Sequence, residues 1–95
     1  MGKKKVPYTQ AGAGKLPDDK PVVYDILTEG GNINYTGTAK RGRVQERIKE
    51  HLEQGDDYVP GASVRIEQMD SIADARAKEK VRIKRNQPKY NDQGK

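Results

Sequence analysis

The stretch VVYDILTEGGNINYTG, residues 22–37, decides the fold of this 95-residue chain. Its first six residues are strand formers apart from Asp25, the run 29–32 is made of turn formers, and a second run of strand formers begins at Ile33. The pattern predicts a β-hairpin. A two-residue loop at 29–30 and a four-residue loop at 28–31 both place Tyr24 directly opposite Tyr35, so the two phenols are expected on one face.

The residues that follow the hairpin predict two helices and one more strand. Val44, Ile48 and Leu52 recur every four residues as one helical stripe, and residues 62–69 alternate between apolar and polar. Ser71 with Asp74 three residues later resembles a capping box. We therefore expect an α+β fold: a small, mainly antiparallel three-stranded sheet (about 21–28, 32–37 and 62–69) flanked by helices at about 42–54 and 71–86.

The two ends of the chain differ from its middle in composition. Residues 1–20 are rich in Lys, Gly, Pro and Asp, with almost no apolar periodicity, which predicts a flexible basic N-terminal arm. The folded domain is expected at 21–92, followed by a short tail at 93–95. We expect one small domain and no second one in these residues, because compact domains usually need on the order of 100 residues.

Positive charge is concentrated in two segments. The chain has 19 Lys and Arg against 14 Asp and Glu. The segment 40–52 holds five basic and two acidic residues, and 76–89 holds seven basic and one acidic. A polyanion partner is the natural inference, since phosphate neutralisation supplies most non-specific affinity for nucleic acid. Two solvated basic helix faces would give the same pattern.

Several classes of protein are excluded or disfavoured by composition. With no cysteine, the chain has no disulfide, no thiolate nucleophile and no cysteine metal site, which fits a reducing cytoplasm. No apolar run approaches the roughly 18 residues of a membrane span, and no apolar stretch follows the basic start as it would in a signal peptide. We expect a soluble cytoplasmic protein that does not bind membranes.

One carboxylate occupies an unusual position in the second helix. Ile72, Ala75 and Ile83 form its apolar stripe, and Glu79 falls in the middle of that stripe while the other faces are basic. An inward carboxylate is either paired with a cation or bound to a metal. In the first helix Arg47 and His51, four residues apart, lie together on one flank.

Together these residues resemble the GIY-YIG nucleases over about residues 21–92. Val22-Val23-Tyr24 occupies the first motif and Tyr35-Thr36-Gly37 the second, at the spacing of a tight hairpin. Arg47 and His51 match the first helix of the family. Glu79, followed by Pro88 and Asn91, matches its last conserved stretch. Val22 stands where the family usually has Gly, and Thr36 stands where it usually has an apolar residue, although Thr36 should point to the face opposite Tyr35.

The resemblance implies a metal-dependent endonuclease. Glu79 would supply one carboxylate to Mg²⁺ (or Mn²⁺), which takes the rest of its ligands from water and substrate phosphate. Arg47 would clamp the phosphate, Tyr24 would take or pass on the proton of the attacking water, and Tyr35 and His51 would orient water and phosphate. Asn91 would fix a neighbouring residue through its amide. The expected catalytic set is Tyr24, Tyr35, Arg47, His51, Glu79 and Asn91.

Substrate and partners follow from charge and size. We expect DNA, with RNA not excluded, bound by Lys40, Arg41, Arg43, Arg82, Lys84, Arg85 and Lys89. A single small module buries only roughly 600–1,000 Å² on nucleic acid, so little sequence specificity is expected. Selectivity should be for shape, such as flaps, nicks or junctions, or should come from a partner protein. Two alternatives stay open: a catalytically silent nucleic-acid-binding module of the same fold, and a basic subunit that docks on an acidic protein. In either, the tyrosines would be a packing pair and Glu79 an ion-pair partner.

Overall fold

The computed structural model describes residues 3–53, 55 and 58–92. The predicted tail at 93–95 lies outside these residues. Within them the elements are β1 (Lys3–Pro7), α1 (Gln10–Ala13), β2 (Val22–Leu27), β3 (Ile33–Ala39), α2 (Val44–Leu52), β4 (Ser63–Gln68), α3 (Ile72–Asn86) and a 3₁₀ turn (Lys89–Asp92). The strands form one antiparallel sheet in the order β1-β4-β2-β3. The α+β prediction is confirmed, but the sheet has four strands where three were predicted.

The fourth strand comes from the segment predicted to be a flexible arm, and that prediction is wrong. β1 pairs along its length with β4, and Val6, Tyr8 and Leu16 are buried. The Tyr8 hydroxyl donates a hydrogen bond of 2.7 Å to the backbone carbonyl of Val59. These apolar side chains are few and irregularly spaced, so their burial depends on pairing with a strand more than fifty residues away.

The hairpin is present, but its predicted register is wrong. Tyr24 pairs with Gly37, and Tyr35 pairs with Ile26. The loop is longer than predicted: the Thr28 amide donates to the Asn32 carbonyl at 2.8 Å, and the pairing shifts between Ile26 and Leu27. Because the error up to Ile26 is two residues, an even number, both tyrosines still lie on one face of the sheet.

The two faces of the sheet pack against different helices. One face carries Val22, Tyr24 and Ile26, which form the core together with Val44 and Ile48 of α2. The buried stripe of α2 thus confirms the predicted helix. Its first amides are capped from the supposed arm, because Asp18 Oδ1 accepts from Val44 N at 2.7 Å and from Gln45 N at 3.2 Å.

Helix α3 contacts β2 and β3 and buries Ala75. The predicted cap is confirmed, since Ser71 Oγ accepts from the Asp74 amide at 3.1 Å. Gln87 ends the helix in a left-handed conformation, with φ of 45°. None of the helices in the described ranges has both the length and the apolar character needed to cross a bilayer.

Candidate active site

Two tyrosines and the histidine form one aromatic cluster between the sheet and α2. The Tyr24 hydroxyl lies 2.7 Å from His51 Nε2, and both side chains are buried. The ring centroids of Tyr35 and His51 are 4.7 Å apart, and those of Tyr24 and Tyr35 are 6.1 Å apart. Three of the predicted site residues are therefore in mutual contact, although they come from three elements.

Gly37 makes room for this cluster, a role that we did not predict from the sequence. A Cβ atom on Gly37 would lie 2.6 Å from the Tyr24 hydroxyl oxygen and 2.8 Å from Cε2 of Tyr35. Such distances are well inside van der Waals contact, so only glycine lets the Tyr24 phenol lie across β3. The sequence feature that could have indicated this role is Gly37, two residues after Tyr35 in the strand that pairs with the strand of Tyr24. It indicates the role only once the pairing register is known.

Arg47 extends the cluster to the surface. Its charge acts on the Tyr24 phenol, and its side chain is about one-third exposed. Arg47 Nη1 also donates to Glu50 Oε1 at 2.9 Å. Burial lowers the pKa of Arg47, but Tyr24 and the hydrogen bond to Glu50 outweigh burial and raise it above the ordinary value. The guanidinium is therefore a permanent cation beside a buried phenol.

The environment of Tyr24 strongly favours its neutral form. Burial raises the pKa of Tyr24 well above its ordinary value, the neighbouring Tyr35 raises it further, and the charge and hydrogen bond of Arg47 oppose the shift only in part. The phenol therefore keeps its proton at neutral pH. Tyr24 is therefore not present as a phenolate that could act as a base.

Glu79 approaches the same cluster from α3. It is half-buried, and burial raises the pKa of its carboxyl, while the charges of Arg76 and Arg47 lower it. Its charge in turn acts on Tyr24. Glu79 is therefore close to the cluster and not turned to bulk solvent. Among the described residues it makes no direct hydrogen bond or ion pair, although the charges of Arg76 and Arg47 act on it.

The donor set suits a hard cation with few protein ligands. No three His, Asp or Glu side chains converge within the described part of the chain. Mg²⁺ commonly binds through one or two carboxylates and takes its other ligands from water and substrate phosphate. A single half-buried carboxylate without a bonded partner fits that pattern.

Asn91 is a positioning residue. Its Oδ1 accepts from the Thr36 amide and its Nδ2 donates to the Thr36 carbonyl, both at 2.8 Å. These two bonds satisfy the outer edge of β3 between Tyr35 and Gly37, as a neighbouring strand would. The predicted role of Asn91, fixing a neighbouring residue through its amide, agrees with this geometry.

Two other predicted roles need correction. His51 is only 2% exposed and its Nε2 contacts Tyr24, so its side chain does not reach a phosphate at the surface. Arg82 was predicted to bind nucleic acid, but its guanidinium bonds Asp25 Oδ2 at 2.9 Å and also Glu67. The other predicted binding residues are exposed: Lys40, Arg41, Arg43, Lys84, Arg85 and Lys89.

The buried ion network around Asp25 lies on the face of the sheet opposite Tyr24. Asp25 is fully buried; it accepts from Thr36 Oγ1 at 2.7 Å and from Arg65 Nη2 at 2.7 Å, besides Arg82. Thr36 therefore does point away from Tyr35, as predicted, and a polar residue there has a partner. Through Arg82, one turn from Glu79, the network fastens α3 to the sheet.

A scan against models of known protein families finds no match to this chain, and a search of curated proteins finds no relative.

Proposed function

We propose that this protein is a metal-dependent endonuclease of the GIY-YIG type that hydrolyses phosphodiester bonds in DNA. One observation carries the proposal: two phenols, an imidazole, a guanidinium and a half-buried carboxylate converge from β2, β3, α2 and α3. A module that only binds nucleic acid would need the cations. Such a module would gain nothing from Glu79, a carboxylate near those cations that has no bonded partner.

Arg47 supplies the cationic help that phosphoryl transfer needs. Negative charge grows on the phosphate oxygens as water attacks phosphorus, and preformed donors at that point are worth several kcal/mol of barrier. The planar guanidinium fork matches two phosphate oxygens. Because the charge of Arg47 acts on Tyr24, a phosphate bound to Arg47 would lie near the phenol.

Tyr24 and His51 form a proton relay. Since the phenol is neutral, it takes up a proton only as it gives one away. The attacking water passes its proton to the Tyr24 oxygen while the phenolic proton crosses the hydrogen bond to His51 Nε2, in which the oxygen and nitrogen lie 2.7 Å apart. The water oxygen then forms the new bond to phosphorus, and the ester oxygen leaves and is protonated by solvent. His51 must be neutral for this step.

Glu79 would hold the metal ion, Mg²⁺ or Mn²⁺. When bound, the ion stabilises negative charge on phosphate and leaving oxygens. Tyr35 packs on the His51 ring and keeps it aligned with Tyr24. Asn91 holds the strand that carries Tyr35.

Specificity is expected to be low, because a single module of this size offers little contact with bases. Selectivity for flaps, nicks or junctions, or a partner protein, would supply it. The lack of cysteine supports a cytoplasmic site of action.

Plasmid nicking with Mg²⁺ or Mn²⁺, against EDTA, tests the proposal. Wild type should nick, whereas Glu79→Gln and Tyr24→Phe should not, and Arg47→Ala should lose roughly 10²–10³-fold in rate. Glu29→Gln is the matched control, since it removes the same charge from an exposed loop position and should nick like wild type. Circular dichroism checks that each variant is folded.

The complete burial of Tyr24 favours one other function, a silent nucleic-acid-binding module. In this structure the phenol is closed to water and phosphate. If wild type and Glu79→Gln both retard DNA and neither nicks it with either metal, the binding module is correct. If neither retards DNA at low salt, the basic subunit that docks on an acidic protein gains support.

A further inference from the structure

A basic hollow adjoins the Arg47 side of the site. It lies between the end of β3 and the first turns of α2 and α3, and its volume is about 190 Å³. Four cationic side chains line it: Lys40, Arg43, Arg47 and Arg76. No acidic side chain is among the described residues of its lining.

These cations come from separate parts of the chain. Lys40 follows β3, Arg43 precedes α2, and Arg76 lies in the second turn of α3. Gathering four like charges around one concavity costs free energy through mutual repulsion, and an anion in the hollow relieves it. Two of the four cations have acids nearby: Arg43 pairs with Glu46 at 2.6 Å and more loosely with Glu50, and Arg47 pairs with Glu50 at 2.9 Å. These pairs are partly or largely exposed, and such pairs contribute little.

The hollow shares one residue with the catalytic cluster. Arg47 lines it and acts electrostatically on Tyr24, while Arg76 acts electrostatically on Glu79. An anion in the hollow would therefore lie next to the position proposed for the scissile phosphate. Consecutive phosphates of one nucleic-acid strand are the anions with that arrangement.

We infer that this hollow is a subsite for one backbone phosphate of the nucleic acid, beside the phosphate that is cut, and that Lys40, Arg43 and Arg76 bind it. The inference rests on the proposed function only in taking nucleic acid as the substrate. It assigns a binding role to Arg76, which the sequence did not single out.

Fluorescence anisotropy with a labelled DNA duplex in EDTA tests the subsite without cleavage. Each phosphate contact contributes roughly 0.9 to the slope of log affinity against log salt, or roughly 3.5-fold in affinity between about 50 and 200 mM salt. Arg76→Gln and Lys40→Gln should each lower the slope by about that amount, on any duplex sequence. Both positions are exposed and glutamine is a good helix former, so the fold should persist.

Lys80→Gln is the matched control, because it removes one exposed charge from the same helix without lining the hollow. It should leave the slope nearly unchanged. If Arg76→Gln and Lys80→Gln change the slope equally, or if Arg76→Gln binds like wild type, the subsite is refuted, even if the enzyme nicks plasmid. If the slope falls as expected and wild type never nicks, the subsite stands and the nuclease proposal fails.

Discussion

Replacing Gly37 with alanine should disrupt the aromatic cluster. The added Cβ would lie 2.6 Å from the Tyr24 hydroxyl oxygen and 2.8 Å from both Tyr24 Cζ and Tyr35 Cε2. Tyr24 is fully buried and bonded to His51, so its ring has no free space into which to move. Relief requires either a displaced phenol, which breaks the bond to His51, or a displaced β3.

The magnitude follows from two opposing contributions. Overpacking a filled core costs about 1–3 kcal/mol. The reduced entropy of the unfolded chain returns about 0.4–1 kcal/mol, because Gly37 has no positive φ and alanine can adopt its backbone conformation. A net loss of about 1–2 kcal/mol should lower Tm by roughly 4–8 °C per kcal/mol in a domain of this size. The nicking rate should fall by more than the loss of folded protein explains, because the phenol is moved from its position beside His51.

Urea unfolding followed by circular dichroism measures the loss. Gly30→Ala is the matched control: it also has no positive φ, and the nearest atoms to its added Cβ lie 3.8 Å away. Gly30→Ala should be as stable as wild type or slightly more stable. If Gly37→Ala unfolds at the same urea concentration as Gly30→Ala and nicks normally, the close approach of Tyr24 to β3 is wrong.

Three further substitutions probe the ion network, the acid and the strand edge. Asp25→Ala should lose about 1.5–3 kcal/mol in urea unfolding, because Thr36, Arg65 and Arg82 lose a buried acceptor while Arg82 keeps its bond to Glu67; a loss below that expected of a surface pair would contradict this. The raised pKa of Glu79 means that its contribution to stability, complete below its ordinary pKa of 4.5, is lost as pH rises through the folded value. Glu79→Gln should therefore gain stability relative to wild type between about pH 4 and pH 7 while losing activity. A difference in unfolding free energy between the two proteins that stays the same across this pH range would count against it. Asn91→Ala should cost about 1–3 kcal/mol, since the buried amide and carbonyl of Thr36 lose their partners; faster hydrogen exchange at the Thr36 amide is the check, and unchanged exchange would argue against the role of Asn91.

Local patterns made much of the fold predictable. The four-residue recurrence of Val44 and Ile48 gives α2, and Ser71 with Asp74 gives the start of α3, because each depends on residues within one or two turns. The convergence of Tyr24 and Tyr35 also needed only strand alternation. The prediction that the two tyrosines share one face is correct although the predicted register is wrong, because the register error is an even number of residues.

Long-range partners account for what was missed. Nothing near Arg82 distinguishes it from Arg85 in the sequence, yet Arg82 bonds a carboxylate 57 residues away, and Arg85 is exposed. Val6 and Leu16 show no periodicity, and they become core only because β1 pairs with β4. The role of Gly37 in leaving space for the Tyr24 phenol likewise depends on which residue lies opposite it.

Two neighbouring residues of β2 make contacts on opposite faces of the sheet, and this limits where the chain can gain or lose residues. Tyr24 serves the aromatic cluster on one side of the sheet, while Asp25 anchors α3 on the other. Inserting or deleting one residue just ahead of this pair, within β2, would exchange the sides and bury a phenol among arginines. The loop 28–32 has no such constraint. Viable length variants of this protein should therefore differ in that loop and keep β2 intact.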